Sequence, residues 1–312
     1  MAATRLAPSG RQVALEHGDQ RVVVVEVGGG LRSYSAGGRD LLDGYRDDER
    51  CPSGRGQLLL PWPNRIEDGT YEWDGRRHQL PLTEVESRNA IHGLTRWAAW
   101  TVSAAESGRA VLEHVLHPQP GYPFSLALEV EYRLSDAGLQ VRTTATNVGA
   151  DACPYGAGAH PYLTVGTPTV DDVVLRAPGA TVLHSDARGI PTDAVPVEGT
   201  DLDFRQARPI AAVKLDNAFT DLEREPDGAA RVELRPPDDG PGLSLWVDES
   251  YGYLMLFTGD PLPDVARRSL AVEPMTCPPD AFRSGKALIR LEPGESHTGT
   301  WGIAPADVPF RA

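Results

Sequence analysis

One glutamate and one histidine lie among apolar or small residues, where ordinary surface charges are rare. Glu273 follows the apolar run Leu270–Val272 and precedes a proline. A carboxylate at the end of an apolar strand is desolvated, which raises its pKa toward the range of a general base. His160 follows the small residues 156–159, which favour a cavity beside its imidazole. Because histidine exchanges its proton near neutral pH, the two side chains could carry acid–base chemistry.

Three further polar residues have neighbours that suggest more than a solvated surface. Arg65 lies between Trp62 and Ile66, so we expect its guanidinium to be held in one orientation, able to donate a fork of hydrogen bonds to ligand hydroxyls. The alternative for Arg65 is a structural ion pair. His92 is interpreted either as a ligand-binding group or as a core histidine. Asp216 is interpreted either as a ligand-binding acid or as ordinary turn chemistry.

The elements that must position these side chains are predicted to be strands. Apolar and polar residues alternate over Phe124–Leu134, turn residues follow at 136–138, and the alternation resumes over Leu139–Ala145, which predicts an antiparallel hairpin. Other short apolar runs, separated by turn residues, are predicted at Val13–Glu16, Val22–Val27, Val111–Leu116, Val173–Leu175, Val232–Leu234, Leu243–Val247, Leu254–Phe257, Leu270–Glu273 and Leu288–Leu291. The sequence therefore predicts an all-β protein, a large antiparallel β-sandwich, with one domain over residues 1–312.

Composition limits the kinds of partner. The chain has 312 residues, with 30 Lys plus Arg against 44 Asp plus Glu and a formal net charge of −14. Such a surface repels phosphate backbones and anionic lipids, so we expect no nucleic-acid and no membrane partner, and a small neutral substrate instead. The three cysteines form no C-x-x-C pair, and Met1–Leu6 lacks a secretory apolar core. We expect a cytoplasmic protein, monomer or homodimer.

Five segments taken together resemble the aldose 1-epimerase (galactose mutarotase) family. They occur in the family's order and span roughly residues 57–283: Asn64–Ile66 with Gly69 and Tyr71, Asn89–Gly93, Gly158–Tyr162, Asp216–Phe219, and Glu273–Thr276 with Pro279–Phe282. The resemblance implies the galactose mutarotase-like supersandwich, in agreement with the strand pattern. It also implies a monosaccharide substrate, no cofactor and no metal.

The resemblance implies a catalytic pair. Glu273 resembles the general base that takes the proton from the C1 hydroxyl of the sugar, and His160 resembles the general acid that protonates the ring oxygen. Opening and reclosing the hemiacetal in this way interconverts α and β anomers of a free aldose. On this interpretation Glu273 starts ionised and His160 starts protonated, with the carboxylate helping to keep the imidazolium charged.

The resemblance also implies a set of substrate-binding residues. Arg65 and His92 resemble a substrate-positioning pair, and Asp216 resembles the carboxylate that binds sugar hydroxyls. Asn64 and Tyr162 occupy motif positions and are expected to contribute to binding.

Other functions stay open at this point. A branch of the family acts on hexose 6-phosphates, which would require basic residues near the pocket. A non-catalytic sugar-binding module could keep the pocket without turnover. A glycoside hydrolase could use Asp216 and Glu273 as a carboxylate pair.

Overall fold

The computed structural model describes residues 6–238 and 240–306. These residues form an almost entirely β structure, with one short α-helix, α1 (Ala281–Ser284), and one 3₁₀ turn at Val170–Asp172. Within the described ranges, no helix is long and apolar enough to span a membrane. Most of the segment Met1–Leu6 and the end of the predicted domain lie outside the described residues.

The strands are short, and antiparallel pairing joins them throughout. In the first half of the chain they are β1 (Gln12–His17), β2 (Gln20–Val25), β3 (Leu31–Ala36), β4 (Arg39–Asp40), β5 (Leu58–Leu59), β6 (Arg65–Glu67), β7 (Thr70–Trp73), β8 (Arg76–Gln79), β9 (Asn89–Ile91), β10 (Thr101–Glu106), β11 (Arg109–Leu116), β12 (Leu126–Ser135) and β13 (Gly138–Asn147). In the second half they are β14 (Cys153–Tyr155), β15 (Gly158–Ala159), β16 (Tyr162–Leu163), β17 (Val174–Arg176), β18 (Gly179–Ser185), β19 (Pro191–Pro196), β20 (Arg208–Pro209), β21 (Asp216–Leu222), β22 (Ala230–Arg235), β23 (Gly242–Val247), β24 (Tyr253–Phe257), β25 (Leu270–Met275), β26 (Ile289–Leu291) and β27 (Ser296–Ala306).

Two large sheets dominate the sandwich. One runs in the order β10-β11-β12-β13-β27-β23-β22-β17-β20. The other runs β19-β18-β21-β24-β25-β15-β5, with β16 also paired to β25. Side chains from both sheets, such as Tyr132 of β12 and Val272 of β25, belong to one continuous apolar core. The prediction of a large antiparallel β-sandwich is confirmed.

The predicted hairpin is β12 and β13. Their register runs from Leu126 opposite Asn147 to Ser135 opposite Gly138. The alternating apolar residues of β12, from Leu126 to Leu134, are all buried, while Glu129 and Arg133 between them are exposed. The period-two pattern therefore identified the buried face correctly, although the strand begins at Leu126 rather than at Phe124.

One predicted boundary at the site is wrong. The sequence placed Glu273 at the end of its strand, but β25 continues to Met275, where it pairs with Tyr253 of β24 and Gly158 of β15. Pairing on both sides thus carries the strand through Pro274, which lies opposite Leu254. Glu273 is an interior residue of a central strand.

A matched pair of glycines tests how closely the backbone is packed beside the site. Gly93 has φ +71°, and an added Cβ would lie 2.0 Å from the carbonyl oxygen of Leu60. Gly75 has φ +74° in an exposed turn, and no atom lies within 4 Å of its added Cβ. We expect Gly75→Ala to lower the free energy of unfolding by about 1 kcal/mol, the cost of the backbone conformation alone. Gly93→Ala should lower it by about 3 kcal/mol or more, since a steric clash is added.

Urea unfolding of both variants measures this difference. Equal losses of stability in the two variants would show that the contact between residues 93 and 60 is not tightly packed.

Candidate active site

Strand alternation explains how a glutamate is accommodated in a central strand. Leu270 and Val272 point into the main core, so Glu273 and Met275 point to the opposite face of the sheet. On that face Glu273 lies opposite Met255 of β24. Glu273 is nonetheless buried, with only 2% of its surface exposed.

The same face carries Asp216. Met255 lies opposite Ala218 of β21, and Asp216 is two residues before Ala218, so the strand period directs both to one side. Asp216, the first residue of β21, is itself exposed. The register of three strands thus brings Asp216 toward Glu273, although 57 residues separate them in the sequence (273 − 216).

His160 lies between two short strands that both pair with the strand of Glu273. β15 precedes it and β16 follows it, and Tyr162 of β16 is opposite Ala271. The backbone N–H of His160 donates to the backbone carbonyl of Gln57 at 3.0 Å. Its Nε2 lies 3.4 Å from Oε1 of Glu273, and the imidazole is buried at 5% exposure. The predicted base and the predicted acid are therefore in contact.

His92 and Asn64 are locked together in an unusual backbone conformation. Both have positive φ, 63° and 55°, which costs energy for a residue other than glycine. The backbone N–H of Asn64 donates to Nδ1 of His92 at 3.2 Å, and the backbone N–H of His92 donates to the backbone carbonyl of Asn64 at 2.9 Å. Since Nδ1 accepts, the ring proton of neutral His92 is on Nε2. The ring meets that of His160 edge-on, with centroids 5.4 Å apart.

Arg65 makes the ion pair that the sequence left as an alternative, and it also lines the cavity. Its Nε and Nη2 each donate to a carboxylate oxygen of Glu84 at 2.8 Å, a bidentate geometry that fixes the guanidinium. Asn89 also donates to Glu84, at 3.1 Å. Sequence reasoning missed Glu84, because an acid in a polar loop looks like any solvated charge.

One cavity of about 290 Å³ brings the predicted residues together. It is lined by all seven of them, Asn64, Arg65, His92, His160, Tyr162, Asp216 and Glu273. Glu84 and Ser53 add polar wall, and apolar wall comes from Ile91, Met255, Phe257, Pro261 and Leu262. A small pocket with both polar and apolar walls suits a small molecule that carries hydroxyl groups on an apolar frame.

Burial sets the charge state of the central pair. Desolvation raises the pKa of Glu273 well above its usual value, with a further contribution from the charge of Asp216, while Arg65 opposes the rise. Desolvation lowers the pKa of His160 to about 3, and the charges of Arg96 and Arg55 act in the same direction. Burial thus opposes the protonated starting state expected for His160, and its effect on the pKa is larger than that of the neighbouring carboxylate.

The two shifts together leave one proton on the pair at neutral pH. Whether that proton is on the carboxyl or on the imidazole, the pair remains net neutral, which a buried site favours. Oε2 of Glu273 and Nδ1 of His160 are buried and have no hydrogen-bond partner among the described residues. Both atoms thus have unused hydrogen-bonding capacity beside the cavity.

His92, His160 and Glu273 also have the composition of a metal site, with candidate ligand atoms within 4.8 Å of one another. A histidine that ligates through one ring nitrogen normally donates a hydrogen bond from the other. His92 does the reverse, because its Nδ1 accepts the Asn64 N–H and its Nε2 then carries the proton. Neither ring nitrogen of His92 then has a lone pair available for a metal ion. His92 is therefore better suited to donate a hydrogen bond than to ligate a metal.

The family model for aldose 1-epimerase matches residues 11–304 of the chain. The chain belongs to the aldose 1-epimerase family. This confirms the resemblance found in the sequence motifs and supports a mutarotase-like function on a sugar. The segments that carry the resemblance all lie within the matched range.

Relatives cover nearly the whole chain. Uncharacterized protein YihR of Escherichia coli strain K12 is 37% identical over 298 residues, which are 95% of this chain and 94% of that protein. Among solved structures, a GalM/aldose epimerase homologue from C. elegans has a TM-score of 0.86 at 18% identity and covers 96% of this chain and 99% of its own. Galactose 1-epimerase from Lactobacillus acidophilus NCFM has a TM-score of 0.79 at 21% identity, with 96% and 95% covered. The structural matches establish the galactose mutarotase-like fold.

The neutral state of His160 has a measurable consequence for stability. Because its folded pKa lies below its unfolded value, the unfolded state binds more protons below about pH 6.5, and stability is lost as the pH falls. Lowering the pH from 7 to 5 should therefore destabilise the wild type by about 2 kcal/mol more than His160→Gln, which lacks this group. Urea unfolding at both pH values measures the difference. The same pH dependence in both proteins would show that His160 titrates normally in the folded state.

Proposed function

We propose that the protein is an aldose 1-epimerase that interconverts the α and β anomers of a free, glucose- or galactose-like aldose. The observation that supports this most is the 3.4 Å contact between Nε2 of His160 and Oε1 of Glu273 at the wall of one polar cavity. The C1 hydroxyl and the ring oxygen of an aldose are bonded to the same carbon. An acid and a base in contact can therefore reach both oxygens at once.

Ring opening requires one proton to leave and one to arrive. Glu273 as carboxylate accepts the proton of the C1 hydroxyl, and His160 as imidazolium donates a proton to the ring oxygen. The bond between C1 and the ring oxygen breaks, and C1 becomes an aldehyde. After rotation about the C1–C2 bond, the reverse transfers close the ring on the other face and restore both groups.

The single proton of the pair fits this cycle. Burial favours the uncharged arrangement, with the proton on Glu273. A sugar hydroxyl that donates to the free Oε2 stabilises the carboxylate and shifts the proton to His160. Each positioned acid or base typically contributes roughly 10²–10⁴ in rate.

The remaining polar groups bind and orient the sugar. His92 donates from Nε2, since its Nδ1 is occupied by the Asn64 N–H. Arg65 is fixed by Glu84 and presents its remaining N–H groups to sugar hydroxyls. Asp216, which lines the same cavity, accepts from sugar hydroxyls. The Tyr162 hydroxyl donates to the Ser53 carbonyl at 3.2 Å, so Tyr162 contributes mainly its ring.

A hexose 6-phosphate is a second candidate substrate, favoured by Arg96. Its charge lowers the pKa of both His92 and His160, so it lies near the pocket. Among the described residues its guanidinium has no ion pair, and it lies over the ring of Trp97, with Cζ 5.8 Å from the centroid. The acids Glu84, Asp216 and Glu273 along the wall favour the free sugar.

The geometry weighs against a glycoside hydrolase. A hydrolase needs two carboxyl groups on either side of one bond, whereas here the closest ionisable partner of Glu273 is an imidazole. A binding module without turnover would need neither an acid nor a base, and the buried pair is costly to keep.

Removing either member of the pair should abolish most activity. We expect Glu273→Gln and His160→Gln each to lower kcat by about 10² or more, since each removes one proton-transfer group. NMR exchange between the α and β anomeric protons measures the rate for a panel of aldoses and their 6-phosphates. Glu72→Gln and His117→Gln change exposed residues of the same types and serve as controls. A folded wild type that accelerates exchange for none of these sugars would refute the proposal.

Removing the carboxylate of Asp216 should mainly weaken binding. We expect Asp216→Asn to raise KM about tenfold, because an amide accepts hydroxyl hydrogen bonds less strongly than a carboxylate. Its kcat should change less, since Asp216 does not transfer a proton. The anomeric exchange rate as a function of sugar concentration separates the two effects. A loss confined to kcat would instead place Asp216 in the proton-transfer step.

A further inference from the structure

We propose that Arg55, acting through the ring of Tyr162, is a positioning residue that fixes the plane of the His160 imidazole and opposes positive charge on it. The kinetic part of this inference depends on the proposed function. Arg55 does not line the cavity and lies in none of the segments that resemble the family.

Three flat groups are stacked behind the cavity. The rings of Tyr162 and His160 are nearly parallel, at an interplanar angle of 9° with centroids 4.9 Å apart. Cζ of Arg55 lies 4.2 Å from the centroid of the Tyr162 ring. A planar guanidinium on an aromatic face is a favourable cation–π arrangement. The stack prevents the imidazole from tilting away from the side chain of Glu273.

The carboxylate of Asp43 holds Arg55 in place. Nη2 of Arg55 donates to Oδ2 of Asp43 at 2.9 Å. Asp43 also accepts from Ser269 at 2.7 Å and from Arg268 at 2.9 and 3.0 Å. These contacts lower the pKa of Asp43 against the opposing effect of burial, so it stays ionised. The hydrogen bond from Nη2 to Asp43 therefore helps to fix the orientation of Arg55 over the Tyr162 ring.

The burial of Arg55 is energetically unfavourable. Only 2% of the residue is exposed, and its Nε and Nη1 have no hydrogen-bond partner within the described structure. Unpartnered buried donors on a charged group are destabilising, so packing alone would favour an apolar residue here. Gly54 lies against the His160 ring, where an added Cβ would be 3.1 Å from Cδ2. The loop around Arg55 is thus fitted to the imidazole.

Five ionisable side chains surround the imidazole of His160. Glu273 contacts it from β25, His92 approaches edge-on after β9, and Arg96 acts from the following loop. Tyr162 and Arg55 form the stack. Of the two arginines, only Arg55 is held by an ion pair and acts through a parallel ring. Its charge contributes to lowering the pKa of His160.

The test compares two substitutions of Arg55. Arg55→Met removes the charge and the plane, while Arg55→Lys keeps the charge and removes the plane. In both variants Asp43 keeps its contacts with Ser269 and Arg268. Arg268→Gln is the matched control, because Arg268 binds the same carboxylate but is about half exposed, and among the described residues it is Arg55 that lies over the Tyr162 ring.

We expect Arg55→Met to lower kcat about tenfold with KM within about twofold of the wild type, since the imidazole is less well aligned. Its pH–rate profile should move to higher pH by roughly half a unit or more, because losing a nearby positive charge favours protonation. Arg55→Lys should show the lower kcat with an unmoved profile, and Arg268→Gln should match the wild type. If Arg55→Met does not fold, Arg55→Lys decides, and a wild-type kcat in it would overturn the inference.

A second measurement does not depend on turnover. The ¹⁵N chemical shifts of the His160 ring report its protonation as a function of pH, and Arg55→Met should protonate at higher pH than the wild type. Equal titration in both proteins would overturn the electrostatic part of the inference. A wild type without any anomerase activity would refute the proposed function and leave this measurement intact. A loss of kcat that is equal in Arg55→Met and Arg268→Gln would reduce Arg55 to a structural role.

Discussion

The burial of a carboxyl group against an imidazole is the constraint on which the rest of this structure depends. Glu273 and His160 are both removed from water and lie 3.4 Å apart. Neither can carry an uncompensated charge there, so they titrate as a unit that retains a single proton. A site with one shared proton is suited to a reaction that moves a proton off one oxygen and onto its neighbour, with no net gain or loss.

The sandwich supplies the rigidity that such a contact needs. One central strand, β25, carries Glu273 and also pairs with the short strands on both sides of His160. The two groups are therefore fixed by the hydrogen bonds of the same sheet rather than by a mobile loop. The residues proposed to bind the sugar are fixed in other ways, Arg65 by Glu84 and His92 by the backbone of Asn64. Their local contacts orient them toward the cavity formed at the face of the sheet.

The sequence predicted the structure correctly where a pattern had few alternative interpretations. Period-two alternation identified the strands and their buried faces, as in β12. The motifs around Glu273 and His160 identified the family and seven residues that share one cavity. One domain over residues 1–312, a cytoplasmic location and the monomeric or dimeric state stay predictions.

The sequence did not predict the roles that residues acquire through tertiary contacts. Glu84 and Arg55 look like ordinary surface charges until the fold places them against Arg65 and Tyr162. The effect of burial on the pKa of His160 was also hidden, because the attraction of a nearby carboxylate can be anticipated from a motif while the depth of burial cannot. For the same reason β25 was ended too early, since the pairing that extends it involves residues distant in the chain.

The left-handed backbone at Asn64 and His92 restricts how this cavity can diverge. Few amino acids adopt positive φ readily, and asparagine and histidine are among them, whereas β-branched residues are strongly disfavoured. Most substitutions at these two positions would therefore strain the main chain in addition to changing the contacts with a ligand. Adaptation to a different sugar is easier at the apolar wall, where Phe257 and Leu262 adopt ordinary conformations and can be exchanged for other shapes without disturbing the backbone.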